Sequence, residues 1–98
     1  MNRSDLRIAS EKFIRDELRK YLPEGVRVYL FGSRARQTAG WNADYDLWID
    51  GEIPDQVITQ IVEEIDESFV PFKVDMVTTA KLRGRFGERV RSEAKPWM

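Results

Sequence analysis

Two carboxylates one residue apart, Asp44 and Asp46, open the run Asp44-Tyr45-Asp46-Leu47-Trp48-Ile49-Asp50. In an extended chain, side chains two residues apart project from the same face. Asp44 and Asp46 would therefore point together, while Tyr45, Leu47 and Ile49 occupy the other face. Like charges held side by side are unfavourable unless a cation or a proton neutralises one of them. Oxygen ligands favour hard divalent ions, so magnesium, calcium and manganese are all candidates for the neutraliser.

Upstream, Gly32-Ser33 follows an apolar run and opens a short helical start. Gly32 lets a ligand approach the backbone closely. The amides after it lie at a helix N-terminus, where phosphate is favoured by free N–H groups and by the dipole. The Ser33 hydroxyl adds a donor. Arg34 and Arg36 add guanidinium groups, which bind phosphate bidentately, although a plain surface role fits both as well. An anion site beside a metal site is the pairing needed for nucleoside triphosphate chemistry, in which two metals about 3.5–4 Å apart hold the attacking and leaving oxygens. Asp75 is a candidate third carboxylate. It lies between Val74 and Met76, where a charge is costly without a partner. It joins Asp44 and Asp46 if its strand neighbours theirs; the alternative is an ion pair with Lys73 or an arginine.

The rest of the composition closes off most other chemistries. The 98 residues contain no cysteine and no histidine. Disulfides, thiol catalysis, zinc–thiolate sites, histidine bases and catalytic triads are excluded. An EF-hand over Asp44, Asp46 and Asp50 fails because Trp48 stands at a required oxygen position and no glutamate follows at the right spacing. A P-loop fails because no Gly-Lys-Ser/Thr follows Gly32. At 42% apolar, 34% charged and a net charge of −1, the chain reads as one globular domain over residues 1–98 with no global field for nucleic acid. No direct nucleic-acid binding is expected. Lys81, Arg83, Arg85, Arg89, Arg91 and Lys95 read as a solvated basic face interrupted by Glu88 and Glu93. No signal-peptide pattern and no apolar run near 18 residues is present, so a cytoplasmic protein without a membrane partner is expected.

The elements that must position these residues follow from periodicity. Asn2–Leu22 is predicted as an amphipathic helix with Ser4 or Asp5 as its cap. Strands are predicted over Val26–Phe31, Asp44–Asp50 and Phe72–Val77, the last with Val74 and Met76 inward and Asp75 on the opposite face. A second helix spans Pro54–Ser68, with Val57, Ile58, Ile61, Val62 and Ile65 on one stripe. A last helix, capped by Thr78 or Thr79, carries Leu82, Phe86 and Val90, weakened by Gly84 and Gly87. The sequence predicts an α+β fold: a small mixed sheet of about three strands or more with helices packed against it.

Gly32-Ser33, ten residues, then Asp44-Tyr45-Asp46 resembles the signature of the DNA polymerase β-like nucleotidyltransferase superfamily. Gly-Ser-Arg-Ala-Arg is similar to its small prokaryotic branch, the minimal nucleotidyltransferases, and Val74-Asp75-Met76-Val77 resembles the strand that carries the family's third carboxylate. The resemblance covers roughly Val26 to Val77, plus flanking helices by order. It implies the nucleotidyltransferase fold, with Gly32 and Ser33 holding a triphosphate, Asp44 and Asp46 binding two Mg2+ ions, and Asp75 binding the catalytic one and helping to deprotonate the acceptor. It further implies transfer of AMP from ATP to a tyrosine of a HEPN-domain ribonuclease toxin, for which such proteins act as antitoxins. Alternatives within the same resemblance are a non-catalytic antitoxin that neutralises by stable binding, and transfer to a small molecule. Three positions depart from the family pattern: Gln37 where glycine is usual, Ala43 where serine is usual, and Trp48 after Asp46-Leu47. For Trp48, ordinary packing on the sheet face is expected.

Overall fold

The structure, a computed structural model, describes residues 1–98. In chain order it contains α1 (Arg3–Tyr21), β1 (Arg27–Phe31), α2 (Gly32–Ala35), β2 (Tyr45–Asp50), α3 (Asp55–Asp66), β3 (Val74–Thr78), a 3-10 turn (Thr79–Lys81), α4 (Gly84–Glu93) and β4 (Lys95–Pro96). The strands form one mixed sheet in the order β3-β2-β1-β4. β1 runs antiparallel to β2 and to β4, and β2 runs parallel to β3. The parallel pair is connected through α3, as a parallel connection requires a crossover.

The two faces of the sheet differ in what covers them. Val28, Tyr45, Leu47, Ile49 and Val74 alternate onto one face and are buried together with Ile14 and Leu18 of α1 and Ile61 and Ile65 of α3. On the other face lie Phe31, Asp46, Trp48, Asp75 and Val77, where Phe31 packs with Leu82 and with Val90 of α4 and leaves the carboxylates uncovered by the main core. No helix is long and apolar enough to cross a membrane.

Two expectations change in detail, and the C-terminal segment adds a strand. The cap of α1 is Asn2, whose side chain accepts from Asp5 N at 2.8 Å, rather than Ser4 or Asp5. The last helix is broken in two: the 3-10 turn ends at Lys81, and α4 begins at Gly84, which has φ +58°. The break brings Gly87 so close to the Leu82 backbone that a Cβ there would sit 2.7 Å from the Leu82 carbonyl carbon. The C-terminal segment forms the short strand β4. Val28 N donates to Met98 O at 3.1 Å and Trp97 N to Val28 O at 2.9 Å, so β4 covers the free edge of β1.

α1 and α3 also meet through a polar cluster. Tyr21 OH donates to Glu64, and Lys20 Nζ lies 3.5 Å from Glu64 Oε1. Glu17 Oε2 is shut away from water without a hydrogen-bond partner. Burial first, and then the Glu64 charge, raise the Glu17 carboxyl above its usual range. A raised carboxyl favours the protonated folded state, so stability from Glu17 is present at low pH and is lost as pH rises through its folded value. Glu17→Gln is therefore expected to raise the melting temperature at about pH 8, with the gain over wild type vanishing toward about pH 4. Thermal unfolding of both proteins across that range checks it, and an equal or lower melting temperature for the variant at the alkaline end contradicts it.

Candidate active site

β1 ends at Phe31, opposite Asp46 of β2, and the chain turns immediately into α2 at Gly32. Gly32 adopts φ +76°, a left-handed conformation that side chains disfavour. Any Cβ on Gly32 would also run into the Asp46 carboxylate, with the Asp46 Cγ only 3.3 Å away. Glycine is thus required twice, for backbone conformation and for space against the carboxylate. Ser33 follows, half-buried, and its hydroxyl makes no hydrogen bond within the protein, while its carbonyl accepts from Thr38 N at 3.0 Å.

The parallel register pairs Asp46 with Asp75 directly across β2 and β3, so both carboxylates leave the same face from adjacent strands. Asp44 lies just before β2 and is exposed. Burial, followed by the charges of Asp75 and then Asp44, raises the Asp46 carboxyl above its usual range, with Arg36 opposing the shift. Asp75 Oδ1 is 3.8 Å from Lys73 Nζ, a loose and largely exposed pair of the kind weighed as the alternative role for this residue. As placed, no group of three or more acidic side chains converges enough to hold a metal ion. The donor chemistry nonetheless fits a hard divalent cation: Asp46 is a half-buried carboxylate whose charge its surroundings disfavour, beside a second carboxylate in register. Asp44 completes the set only by turning its side chain inward.

The two arginines separate. Arg36 stays on the carboxylate side, with Nη1 2.7 Å from Glu93 Oε1. Arg34 does not. Its nitrogens donate to Ala43 O at 2.8 and 3.1 Å and to Trp41 O at 2.9 Å, and its guanidinium lies 4.0 Å from the centre of the Tyr45 ring. Tyr45 faces the core, opposite Asp46, so Arg34 braces the 38–43 loop rather than joining the carboxylates. The buried Tyr45 hydroxyl completes that brace by donating to Glu11 Oε2 at 2.6 Å, and burial and that bond push the phenol's pKa up.

The departures from the family pattern gain physical content. Gln37 is the one non-glycine residue with positive φ, at 62°. Glycine is usual there because the left-handed conformation costs other L-residues roughly 1–2 kcal/mol. Ala43 contributes its carbonyl, not its side chain, to the Arg34 brace. Trp48 stacks on Tyr29 with ring centres 4.7 Å apart, and its Nε1 donates to Thr79 Oγ1 at 2.9 Å. This is sheet-face packing, as expected.

Glu93 was not singled out by sequence reasoning. It lies at the end of α4, accepts from Gly32 N at 3.1 Å through Oε2 and pairs with Arg36 through Oε1. Nothing local marks it, since with Glu88 it reads as one of two acids on a basic helix.

A nucleotidyltransferase domain model matches residues 11–97. The chain belongs to the nucleotidyltransferase domain family. Similar solved structures share the fold of this nucleotidyltransferase at low identity. A toxin–antitoxin structure with AMP-PNP contains a chain at 22% identity and TM-score 0.72, over 90% of this chain and 72% of that one. A mutant MntA–HpeT toxin–antitoxin structure gives 20% and 0.69, over 90% and 71%. The complex of the tri-AMPylated Shewanella oneidensis HEPN toxin with its MNT antitoxin gives 19% and 0.67, over 92% and 70%. No curated protein sequence matches the nucleotidyltransferase.

The raised Asp46 carboxyl makes two linked expectations. Because its protonated form is favoured, the metal-free nucleotidyltransferase loses stability as pH rises through the folded value, and Asp46→Asn escapes that loss. At neutral pH, Asp46→Asn should therefore melt higher than wild type without divalent ions. Added Mg2+ or Mn2+ should raise the melting temperature of wild type and leave the variant unmoved. A wild-type melting temperature indifferent to both ions contradicts this account. Separately, Gln37→Gly should stabilise by up to about 1 kcal/mol in denaturant unfolding, the cost of a left-handed non-glycine residue less the entropy glycine adds to the unfolded chain.

Proposed function

We propose that this nucleotidyltransferase is a Mg2+-dependent antitoxin that transfers AMP from ATP to a tyrosine hydroxyl of a HEPN-domain ribonuclease toxin. The observation that carries the reading is the alignment of Asp46 with Asp75 beside the Gly32-Ser33 turn, which sets a metal-type carboxylate pair against a phosphate-type turn. The likeness in fold to chains of toxin–antitoxin complexes, one with AMP-PNP and one with an AMPylated HEPN toxin, supports the choice of nucleotide and acceptor.

Gly32, Ser33 and Arg36 would bind and orient the triphosphate, with the free Ser33 hydroxyl as a donor to a phosphate oxygen. Asp44, Asp46 and Asp75 would hold Mg2+, which when bound neutralises charge on the triphosphate and on the carboxylates themselves. The acceptor tyrosine oxygen attacks the α-phosphorus in line. A new O–P bond forms as the bond from the α-phosphorus to the bridging oxygen breaks, pyrophosphate leaves, and the tyrosine proton passes to the Asp75 carboxylate. Positioning and charge neutralisation supply most of the acceleration in reactions of this type. Five hollows of the surface are lined by residues other than Asp44, Asp46 and Asp75, so none of these five sets a small acceptor against the carboxylates. A macromolecular acceptor that brings its own surface fits better.

A second reading, neutralisation of the toxin by stable association alone, is favoured by the open placement of the carboxylates and the Lys73–Asp75 pair. One experiment separates them. The nucleotidyltransferase and its partner are incubated with α-labelled ATP and Mg2+. Label is expected on a partner tyrosine, reduced at least about a hundredfold in the Asp44→Asn plus Asp46→Asn variant, the scale for loss of a principal electrostatic group. No label, together with full neutralisation of the toxin by the double variant in cells, overturns transfer in favour of binding.

A further inference from the structure

The Glu93 carboxylate makes the contacts that a phosphate would make at this turn. One oxygen accepts from the Gly32 amide at 3.1 Å and the other from Arg36 Nη1 at 2.7 Å. The Glu93 side chain is only 14% exposed, against 48% for Arg36, so the carboxylate is drawn in and the guanidinium reaches over it. The location is otherwise a poor one for a negative charge. Glu93 is the last residue of α4, where the helix dipole presents its negative end. It also adds to the repulsion felt by Asp46. Gly32 and Arg36 are what hold it there. Their bonds and the Arg36 charge outweigh the effect of burial and keep the Glu93 carboxyl below its ordinary value, so it remains an anion at neutral pH.

We propose that Glu93 is an internal competitor of the triphosphate: its carboxylate occupies the Gly32–Arg36 anion site in the empty enzyme and must be displaced for nucleotide to bind, so that it sets nucleotide affinity. The proposal rests on the reading above that Gly32 and Arg36 contact the triphosphate. The Gly32 amide and the Arg36 Nη1 that would turn to a phosphate both donate to Glu93, so a phosphate taking those donors displaces the carboxylate.

The test measures binding of inorganic tripolyphosphate and of a non-hydrolysable ATP analogue with Mg2+ to the full chain, by calorimetry, for wild type, Glu93→Gln, Glu93→Ala and Arg36→Ala. Both Glu93 variants are expected to bind either probe on the order of tenfold more tightly, the scale of one charge-assisted hydrogen bond no longer broken. Arg36→Ala should bind more weakly. In turnover, the Glu93 gain should appear as a lower KM for ATP. If Arg36→Ala weakens binding but both Glu93 variants leave it unchanged or weaken it, Glu93 supports the turn rather than competing for it, and the competitor role is overturned while the nucleotide site stands. If no variant changes binding, the triphosphate site itself is misplaced and both readings fall. A readout independent of affinity keeps the idea exposed if a variant folds poorly: in wild type, the Gly32 amide resonance should shift on adding tripolyphosphate at the concentrations that saturate binding. An unmoved Gly32 amide overturns the proposal.

Discussion

β2 is the strand on which the other elements depend, because it must satisfy two environments at once. Tyr45, Leu47 and Ile49 are sealed between the sheet and the pair α1 and α3, while Asp46 and Trp48 face the other way. A slip of one residue in its pairing would drive Asp46 into the apolar core and expose three buried side chains. The register is therefore held by the core, and the core in turn holds Asp46 beside Asp75. Stability and the carboxylate geometry are consequences of the same alternation. The unfavourable proximity of the two acids is imposed by burial on the opposite face, not chosen by the acids themselves.

The segment between β1 and β2 shows how similar residues acquire different roles. Arg34 lies in the short α2 helix and Arg36 caps its end, and the two diverge to opposite sides of the sheet. Arg34 is consumed by loop carbonyls and by the Tyr45 and Phe72 rings, 4.0 and 5.0 Å from its guanidinium carbon. It holds the 38–43 loop in the shape that delivers Asp44 to the start of β2. Arg36 remains half-exposed and holds an anion already, the Glu93 carboxylate at 2.7 Å. Gln37, in a left-handed conformation, turns the chain between the two tasks.

The site is also assembled from the far end of the chain. α4 packs Val90 against Phe31 and Leu82, which places Glu93 over the Gly32 turn, and β4 then covers the edge of β1. The C-terminal segment thus closes the sheet, shields part of the carboxylate face and supplies the anion now held at the turn. A chain this small builds an active site by having each element serve both the fold and the site.

Much was legible from the residues alone. The strand alternation, the stripe of the α3 helix, the Gly32-Ser33 turn and the Asp44-Tyr45-Asp46 spacing are local patterns, and local patterns are written in adjacent residues. Even the packed role of Trp48 followed from side-chain direction on a strand. What the sequence could not determine depends on contacts between distant residues. The parallel register that brings Asp46 to Asp75 is set by how α3 returns the chain to the sheet. The diversion of Arg34 is set by a loop carbonyl and an aromatic ring on the core face. The two-residue β4 is too short to carry any periodic signal and exists only because β1 offers an open edge. Glu93 meets Gly32 from 61 residues away, through the packing of α4, and no spacing rule in the chain encodes that meeting. The sequence by itself determined which chemistry this protein could perform, because residue types limit the available ligands and bases. Tertiary structure alone decided which of those residues meet, because that is fixed by burial and strand register across the whole fold.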